Sequence, residues 1–221
     1  MKTLVAGPIL RLLLRPDVSG EENIPRTGPL ILASNHLSYV DPVILPLMIR
    51  RRIHFLAKSD YYTGKGFANW AVRNFLKATG MIPIDRSGGK ASEASLKTGL
   101  KALGEGKVLG IYPEGTRSPD GRLYRGRTGV ARLILEGEVT VVPVAMFDTD
   151  KVMGVGSSRL SLHKIGIKIG KPVDLSSYLG KPADGAVLRS IANEITSAIQ
   201  TLSGQEFVDT YASSARSKPV A

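Results

Sequence analysis

The chain contains no cysteine. That excludes disulfides, a thiolate nucleophile and a cysteine-ligated zinc site, and it leaves the redox compartment undetermined. Histidine is scarce, with three residues in 221. His54 and His163 stand apart from His36 without zinc-ligand spacing, so no metal centre or other cofactor is expected. No stretch approaches the roughly 20 consecutive apolar residues that a membrane-spanning helix needs. There is no G-x-S-x-G elbow and no G-x-x-x-x-G-K-[ST] loop, which argues against a hydrolase serine and a P-loop. Acidic residues are also in short supply, 19 against 30 lysines and arginines, for a formal net charge of +11. Such a chain is drawn to polyanions: nucleic acid, anionic lipid, phosphorylated small molecules or acidic proteins. No nucleic-acid motif or clustered basic helix accompanies the charge, so nucleic acid is not the expected partner.

What is present suits a globular α/β protein. Hydrophobic residues make up 43% of the chain, enough for a sizeable core. Short apolar or β-branched runs bounded by turn signals predict strands near Leu30–Ala33, Ile53–Ala57, Met81–Ile84, Val108–Tyr112, Thr140–Ala145 and Ile165–Ile169. Helical spacing predicts helices over Pro42–Arg51, Phe67–Lys77, Lys90–Leu103, Thr128–Glu136 and Ala186–Leu202. Strand and helix alternate, so the expected fold is a single domain with a mixed, mostly parallel sheet flanked by helices. Three regions are expected. Residues 1–19 read as a short amphipathic helix in the membrane interface, with packing on the protein's own core as the alternative. Residues 20–202 form the domain, and 203–221 form a polar tail that is poorly ordered or peripheral. The apolar stripe of Phe67, Trp70, Ala71 and Phe75 is expected to face the core, with lining an acyl groove or touching lipid as the alternative.

Chemistry-bearing residues cluster after the predicted strands. In open α/β sheets, ligands bind beyond the carboxyl ends of parallel strands. "NHLSYVD" follows the first predicted strand with His36 and Asp41. An imidazole can take a proton from an alcohol if a carboxylate holds its other N–H. Five positions on a regular helix would turn the two side chains about 140° apart, so the pair must meet in a turn before the helix. The alternative is that Asp41 caps the helix beside an ordinary loop histidine; one carboxylate can also do both.

"YPEGTRSPDGR" follows the fourth predicted strand. Backbone N–H groups near Gly115 and Thr116, with the Arg117 fork, can hold a phosphate, and Glu114 can orient that arginine or a substrate hydroxyl. An ordinary polar turn is the alternative. Arg86 after the third predicted strand, and Arg125 and Arg127 beside the start of a helix, are further candidate anion ligands or surface cations.

Together the stretches resemble the glycerolipid acyltransferase family, in particular the bacterial 1-acyl-glycerol-3-phosphate acyltransferases. The resemblance rests on Asn35, His36 and Asp41; on Ile84, Asp85 and Arg86; on Pro113 to Arg117; and on the strand around Pro143, in the family's order. It implies that His36 is the general base on a glycerol hydroxyl, with Asp41 orienting it. Arg117 and Arg86, joined by Lys58, would hold the acceptor phosphate, with Glu114, Gly115 and Thr116 in the acceptor loop. Lys58 is followed by Ser59-Asp60 rather than the family's common Glu-Leu, which weakens its assignment. The implied reaction moves an acyl group from acyl-CoA or acyl carrier protein to the sn-2 oxygen of lysophosphatidic acid, giving phosphatidic acid. It implies no acyl-enzyme and peripheral attachment to an anionic surface, at the cytoplasmic face of the cell membrane. Another acceptor, namely a lysophospholipid, glycerol 3-phosphate or a glycolipid, is the alternative within the family. A non-catalytic basic membrane- or nucleic-acid-binding module is the alternative outside it.

Overall fold

A computed structural model describes residues 7–59, 66–84, 91–157 and 159–216. The strands are β1 (Asp17–Ser19), β2 (Leu30–Ser34), β3 (Ile53–Lys58), β4 (Ile82–Ile84), β5 (Val108–Ile111), β6 (Leu123–Tyr124), β7 (Thr140–Phe147), β8 (Gly166–Ile169) and β9 (Phe207–Val208). The helices are α1 (Gly7–Leu14), α2 (Asp41–Met48), α3 (Phe67–Ala78), α4 (Ala91–Gly104), α5 (Gly129–Gly137), α6 (Thr149–Met153), α7 (Gly185–Ser203) and α8 (Ala212–Arg216).

Seven strands form one sheet in the order β1-β8-β7-β2-β5-β3-β4. All neighbours are parallel except β7 and β8. The central β2 reads LILAS and is buried throughout, as a parallel strand covered on both faces must be. Its side chains alternate between two cores. Leu30 and Leu32 join Ile44, Met48, Ile53, Phe55 and Val144 on one face. Ile31 and Ala33 join Leu109, Leu133, Ile191 and Ile195 on the other. Pro143 sits opposite Ala33 in β7 and accepts the Gly170 N–H at 2.9 Å. It has no N–H to return, so the β7–β8 ladder ends there.

This sheet order positions the site. β2 and β5 are hydrogen-bonded parallel neighbours, so the loops that follow them leave the sheet along one edge. Those loops carry His36 and Glu114 to Arg117.

Three expectations are corrected. The part of the tail from Gly204 to Arg216 is built in: β9 pairs with β6 in a second, two-stranded sheet, and Ala212 of α8 is fully buried. Its polar side chains gave no core signal because they bond to loops rather than pack. Trp70 is 52% exposed, so the α3 stripe does not close on the core at that position. The side chains of Phe67, Ala71 and Phe75 lie outside the described residues. Third, α2 stops at Met48, because Ile49 is extended. The Arg51 side chain beyond it instead donates to the Pro25 and Gly28 carbonyls at 2.8 and 2.6 Å.

α1 packs on the protein's own core along one side only. Leu14 is buried in the core, its carbonyl accepts the Ile165 N–H at 3.3 Å, and Arg11 donates to the Met48 carbonyl at 2.6 Å. Ile9, Leu12 and Leu13 nevertheless point outward, with Leu12 75% exposed. Among the described residues no helix is long and apolar enough to cross a membrane.

Gly110 of β5 shows how tightly the strands are packed. A Cβ there would run into the ring of Phe55 on β3. Gly110→Ala is expected to cost about 1–3 kcal/mol through overpacking, read as a lower urea midpoint at unchanged slope.

Candidate active site

The stretch from Asn35 to Val40 is a turn, and Asp41 begins α2 with Pro42 in its first turn. Within that turn His36 Nδ1 lies 2.8 Å from Asp41 Oδ2. The two side chains thus meet in non-helical backbone, as their spacing requires. The same Oδ2 accepts the N–H groups of Leu37 and Ser38, each at 2.8 Å. Asp41 is fully buried, and its Oδ1 has no hydrogen-bond partner among the described residues. The carboxylate therefore reaches back into the turn. It does not cap its own helix, which corrects the capping alternative.

Because Asp41 Oδ2 can only accept, Nδ1 carries the imidazole proton and Nε2 is left as the basic nitrogen. The ring is fixed from the side as well. Tyr112, directly after β5, stacks on it with centroids 3.8 Å apart and planes 12° apart. Phe55 stacks behind Tyr112 at 5.2 Å. Burial holds the Tyr112 hydroxyl well above its usual pKa range, so it stays neutral beneath His36.

Asn35 is clasped like a strand partner. Its Oδ1 accepts the Met146 N–H at 2.7 Å, and its Nδ2 donates to the Met146 carbonyl at 3.0 Å and to Gln205 Oε1 at 2.8 Å. Ser38 Oγ donates to the Met153 carbonyl at 2.5 Å, tying the turn to α6.

Glu114 does not face the cavity as an acceptor-binding group would. It is 2% exposed, and it accepts the His36 N–H at 3.1 Å on Oε1 and the Tyr124 N–H at 3.0 Å on Oε2. With the Ser118 N–H donating to the His36 carbonyl at 2.8 Å, it fastens one loop to the other. Burial pushes the Glu114 carboxyl up to about 8, against the lowering pull of the two N–H groups and with Asp41 and Asp120 adding to the rise.

A cavity of about 620 Å³ opens beside His36. Gly115, Thr116, Arg117 and Arg127 line its polar part, and Phe55, Leu56, Leu76, Met81 and Leu96 line its apolar part. Arg117 lies over the Tyr39 ring, 3.7 Å from its centroid. Gly115 has φ +75°, and a Cβ there would come within 2.9 Å of Arg127 Cδ and Nε, so both backbone and space demand glycine. Arg127 reaches the cavity while bonded to Ser213 Oγ at 3.0 Å and lying over the Tyr211 ring. Arg125 is turned away, to Asp209 at 3.6 Å, and is not among the cavity-lining residues. Arg86 and the Lys58 side chain lie outside the described residues.

Sequence reasoning missed Tyr112, Tyr39, Ser118 and Gln205. Tyr112 directly follows β5 beside the PEGTR loop, and its place just past a strand terminus was a usable signal. Gln205 sits in a short polar stretch with no period and had none.

The Acyltransferase family model matches residues 15–147, more than half of the chain, and the chain belongs to that family. It is 30% identical over 177 residues to the 1-acyl-sn-glycerol-3-phosphate acyltransferase of Bacillus subtilis, covering 79% of this chain and 82% of that one. It is also 30% identical over 159 residues to the chloroplastic enzyme LPAT1 of Arabidopsis thaliana, covering 71% of this chain and 43% of that longer one. The crystal structure of the 1-acyl-sn-glycerophosphate (LPA) acyltransferase of Thermotoga maritima shares the fold. Its TM-score is 0.66 at 24% identity, over 89% of this chain and 79% of that one.

Glu114 gives the site a pH signature. Its folded-state pKa, about 8, lies above its ordinary 4.5, so the folded state binds the extra proton. Its contribution to stability is complete below about pH 4.5 and is lost as pH rises through about 8. Urea midpoints measured from pH 5 to pH 9 are expected to fall with rising pH more steeply in the wild type than in Glu114→Gln. Parallel profiles would show that Glu114 does not carry the proton. Glu114→Ala orphans two buried N–H groups and is expected to cost about 1–3 kcal/mol for each.

Proposed function

We propose that the chain transfers a fatty acyl group from acyl-CoA or acyl carrier protein to the sn-2 hydroxyl of 1-acyl-glycerol 3-phosphate, giving phosphatidic acid. The observation that carries the reading is the 2.8 Å contact between His36 Nδ1 and a buried Asp41 carboxylate at the edge of a large, half-apolar cavity. The curated relatives in the same family named for this reaction support it.

In this mechanism Nε2 of His36 takes the proton of the acceptor hydroxyl as its oxygen attacks the thioester carbonyl. Asp41 holds Nδ1–H and stabilises the imidazolium that forms. The tetrahedral intermediate collapses by breaking the carbon–sulfur bond. The departing thiolate then takes the proton back from Nε2. No acyl-enzyme forms. Arg117, with Arg86 and Lys58, holds the acceptor phosphate, and a guanidinium stacked on Tyr39 is well placed to do so from a fixed position. Gly115 and Thr116 shape the loop around it. The apolar wall of the cavity takes an acyl chain.

The acceptor carries an acyl chain, so the enzyme must meet a membrane. The outward Ile9, Leu12 and Leu13 on a helix with Arg11, followed by Arg15, suit an anionic bilayer surface, and the net charge of +11 works in the same direction. The protein is then peripheral or monotopic, at the cytoplasmic face of the membrane.

Two experiments follow. Purified protein given labelled acyl-CoA and lysophosphatidic acid should form phosphatidic acid, with His36→Ala about 10²–10⁴-fold slower. Normal turnover by that variant would remove His36 from the chemistry. In the same assay an acceptor panel should show a preference for phosphate-bearing acceptors that Arg117→Ala erases by raising KM, with kcat held within about twofold. For the membrane, Leu12→Glu should reduce co-sedimentation with anionic vesicles and leave turnover of a detergent-dispersed acceptor intact. Unchanged sedimentation would discard α1 as the contact.

A further inference from the structure

The segment Gly204–Arg216 follows α7 and lies beyond the residues matched by the family model. Its contacts converge on His36 by two routes.

The first route runs through Gln205. Its Oε1 accepts from Asn35 Nδ2 at 2.8 Å, and its Nε2 donates to the Gly121 carbonyl at 2.5 Å. Asn35 directly precedes His36 and is 1% exposed. The Met146 carbonyl is the backbone partner of the Asn35 Nδ2 group, at 3.0 Å, and the Gln205 side-chain oxygen is its other partner. Removing the Gln205 carbonyl oxygen leaves a buried amide hydrogen without its acceptor. The Asn35 Nδ2 group, next to His36, is then held by the Met146 carbonyl alone.

The second route runs through the backbone of β6. β9 pairs with β6, with Phe207 opposite Leu123 and Val208 opposite Tyr124. The Leu123 N–H donates to the Glu206 carbonyl at 2.9 Å, and the Arg125 N–H to the Thr210 carbonyl at 3.0 Å. The residue between them, Tyr124, supplies one of the two N–H groups held by Glu114. Glu114 in turn holds the His36 N–H. Beyond β9, Tyr211 and Ser213 hold Arg127 where it meets Gly115 at the cavity.

We propose that Gly204–Arg216 is a strap that belongs to the working active site, with Gln205 a positioning residue that acts through Asn35 on His36. The proposal rests on the acyl-transfer reading for its kinetic part only. A polar tail that merely closes the fold would need none of the Gln205 amide chemistry, since methionine fills nearly the same volume.

The test is a double-mutant cycle on kcat with Gln205→Met and Asn35→Ala, run with acyl-CoA and lysophosphatidic acid. Thermal melts of each variant confirm folding. Side-chain NMR of the His36 Nδ1–H, identified by its loss in His36→Gln, is recorded in parallel. Gln205→Met is expected to lower kcat about ten- to hundredfold with KM within about twofold, since displacing a catalytic group by a fraction of an ångström acts on rate rather than affinity. In the Asn35→Ala background the same change should have little further effect. The Nδ1–H resonance should move or broaden in Gln205→Met. Additive losses in kcat, a normal kcat or an unmoved resonance would each overturn the proposal. If the wild type forms no product, the acyl-transfer reading fails, and the resonance alone then decides for or against the strap. If Asn35→Ala does not fold, the resonance and the kcat-against-KM split of Gln205→Met decide it.

Discussion

A single oxygen organises the site. Asp41 Oδ2 accepts from His36 Nδ1, Leu37 N and Ser38 N, all at 2.8 Å, with no solvent exposure. Hydrogen bonds to a charged acceptor contribute about 1.5–3 kcal/mol each, whereas an isolated buried charge would be strongly destabilising. The turn therefore closes around the carboxylate, and in closing it fixes the imidazole. Folding the turn and orienting the imidazole are one event. It follows that His36 and Asp41 need a spacing that a helix does not serve, and that α2 can begin only where this turn ends.

The turn would be useless without its neighbour. Parallel pairing of β2 with β5 brings the two loops out of the sheet side by side. Glu114 and Ser118 then join them at the backbone of His36. Tyr112 supplies the floor, stacked under the ring because it lies directly after β5 and before Pro113 turns the chain. Arg117 is carried on one of these joined loops and lines the cavity beside His36, while Arg127 reaches the same cavity from beyond β6. On the acyl-transfer reading, this is preorganisation achieved with backbone donors.

Much of this was legible in the residues. The six strands of the central reading were found because parallel strands buried on both faces are nearly continuous apolar runs, and β2 and β7 are such runs. The His36–Asp41 contact was legible through the family resemblance, and the spacing added only that the two would have to meet in a turn. Other features were not. β1, β6 and β9 have only two or three residues each, too short for a period. Glu114 reads as an exposed loop acid, since nothing in "PEGTR" says that backbone N–H groups will enclose it. Arg125 and Arg127 look equivalent in sequence, yet one pairs with Asp209 and the other reaches the cavity. That choice is made by a strap some eighty residues away in the chain. Trp70 carried a helical apolar period and still faces outward, because periodicity reports a face and not what covers it.

The two buried carboxyls raise a question of charge. Two ionised groups close to His36 would repel each other in a region of low dielectric, and Asp41 does contribute to the rise of Glu114. With Glu114 pushed to about 8, its own charge is largely absent near neutral pH. The two carboxyls have different tasks. Asp41 accepts from the imidazole and from two backbone N–H groups. Glu114 only joins backbone N–H groups, a task that a neutral carboxyl also performs, since each of its oxygens keeps a lone pair. The surplus positive charge of the chain then acts from outside this pair, through Arg117 and Arg127 at the cavity and Arg11 and Arg15 near α1. A count of charges predicts attraction to anions. Only the burial of two acids under one histidine separates a site that can take up a proton from a surface that merely attracts phosphate.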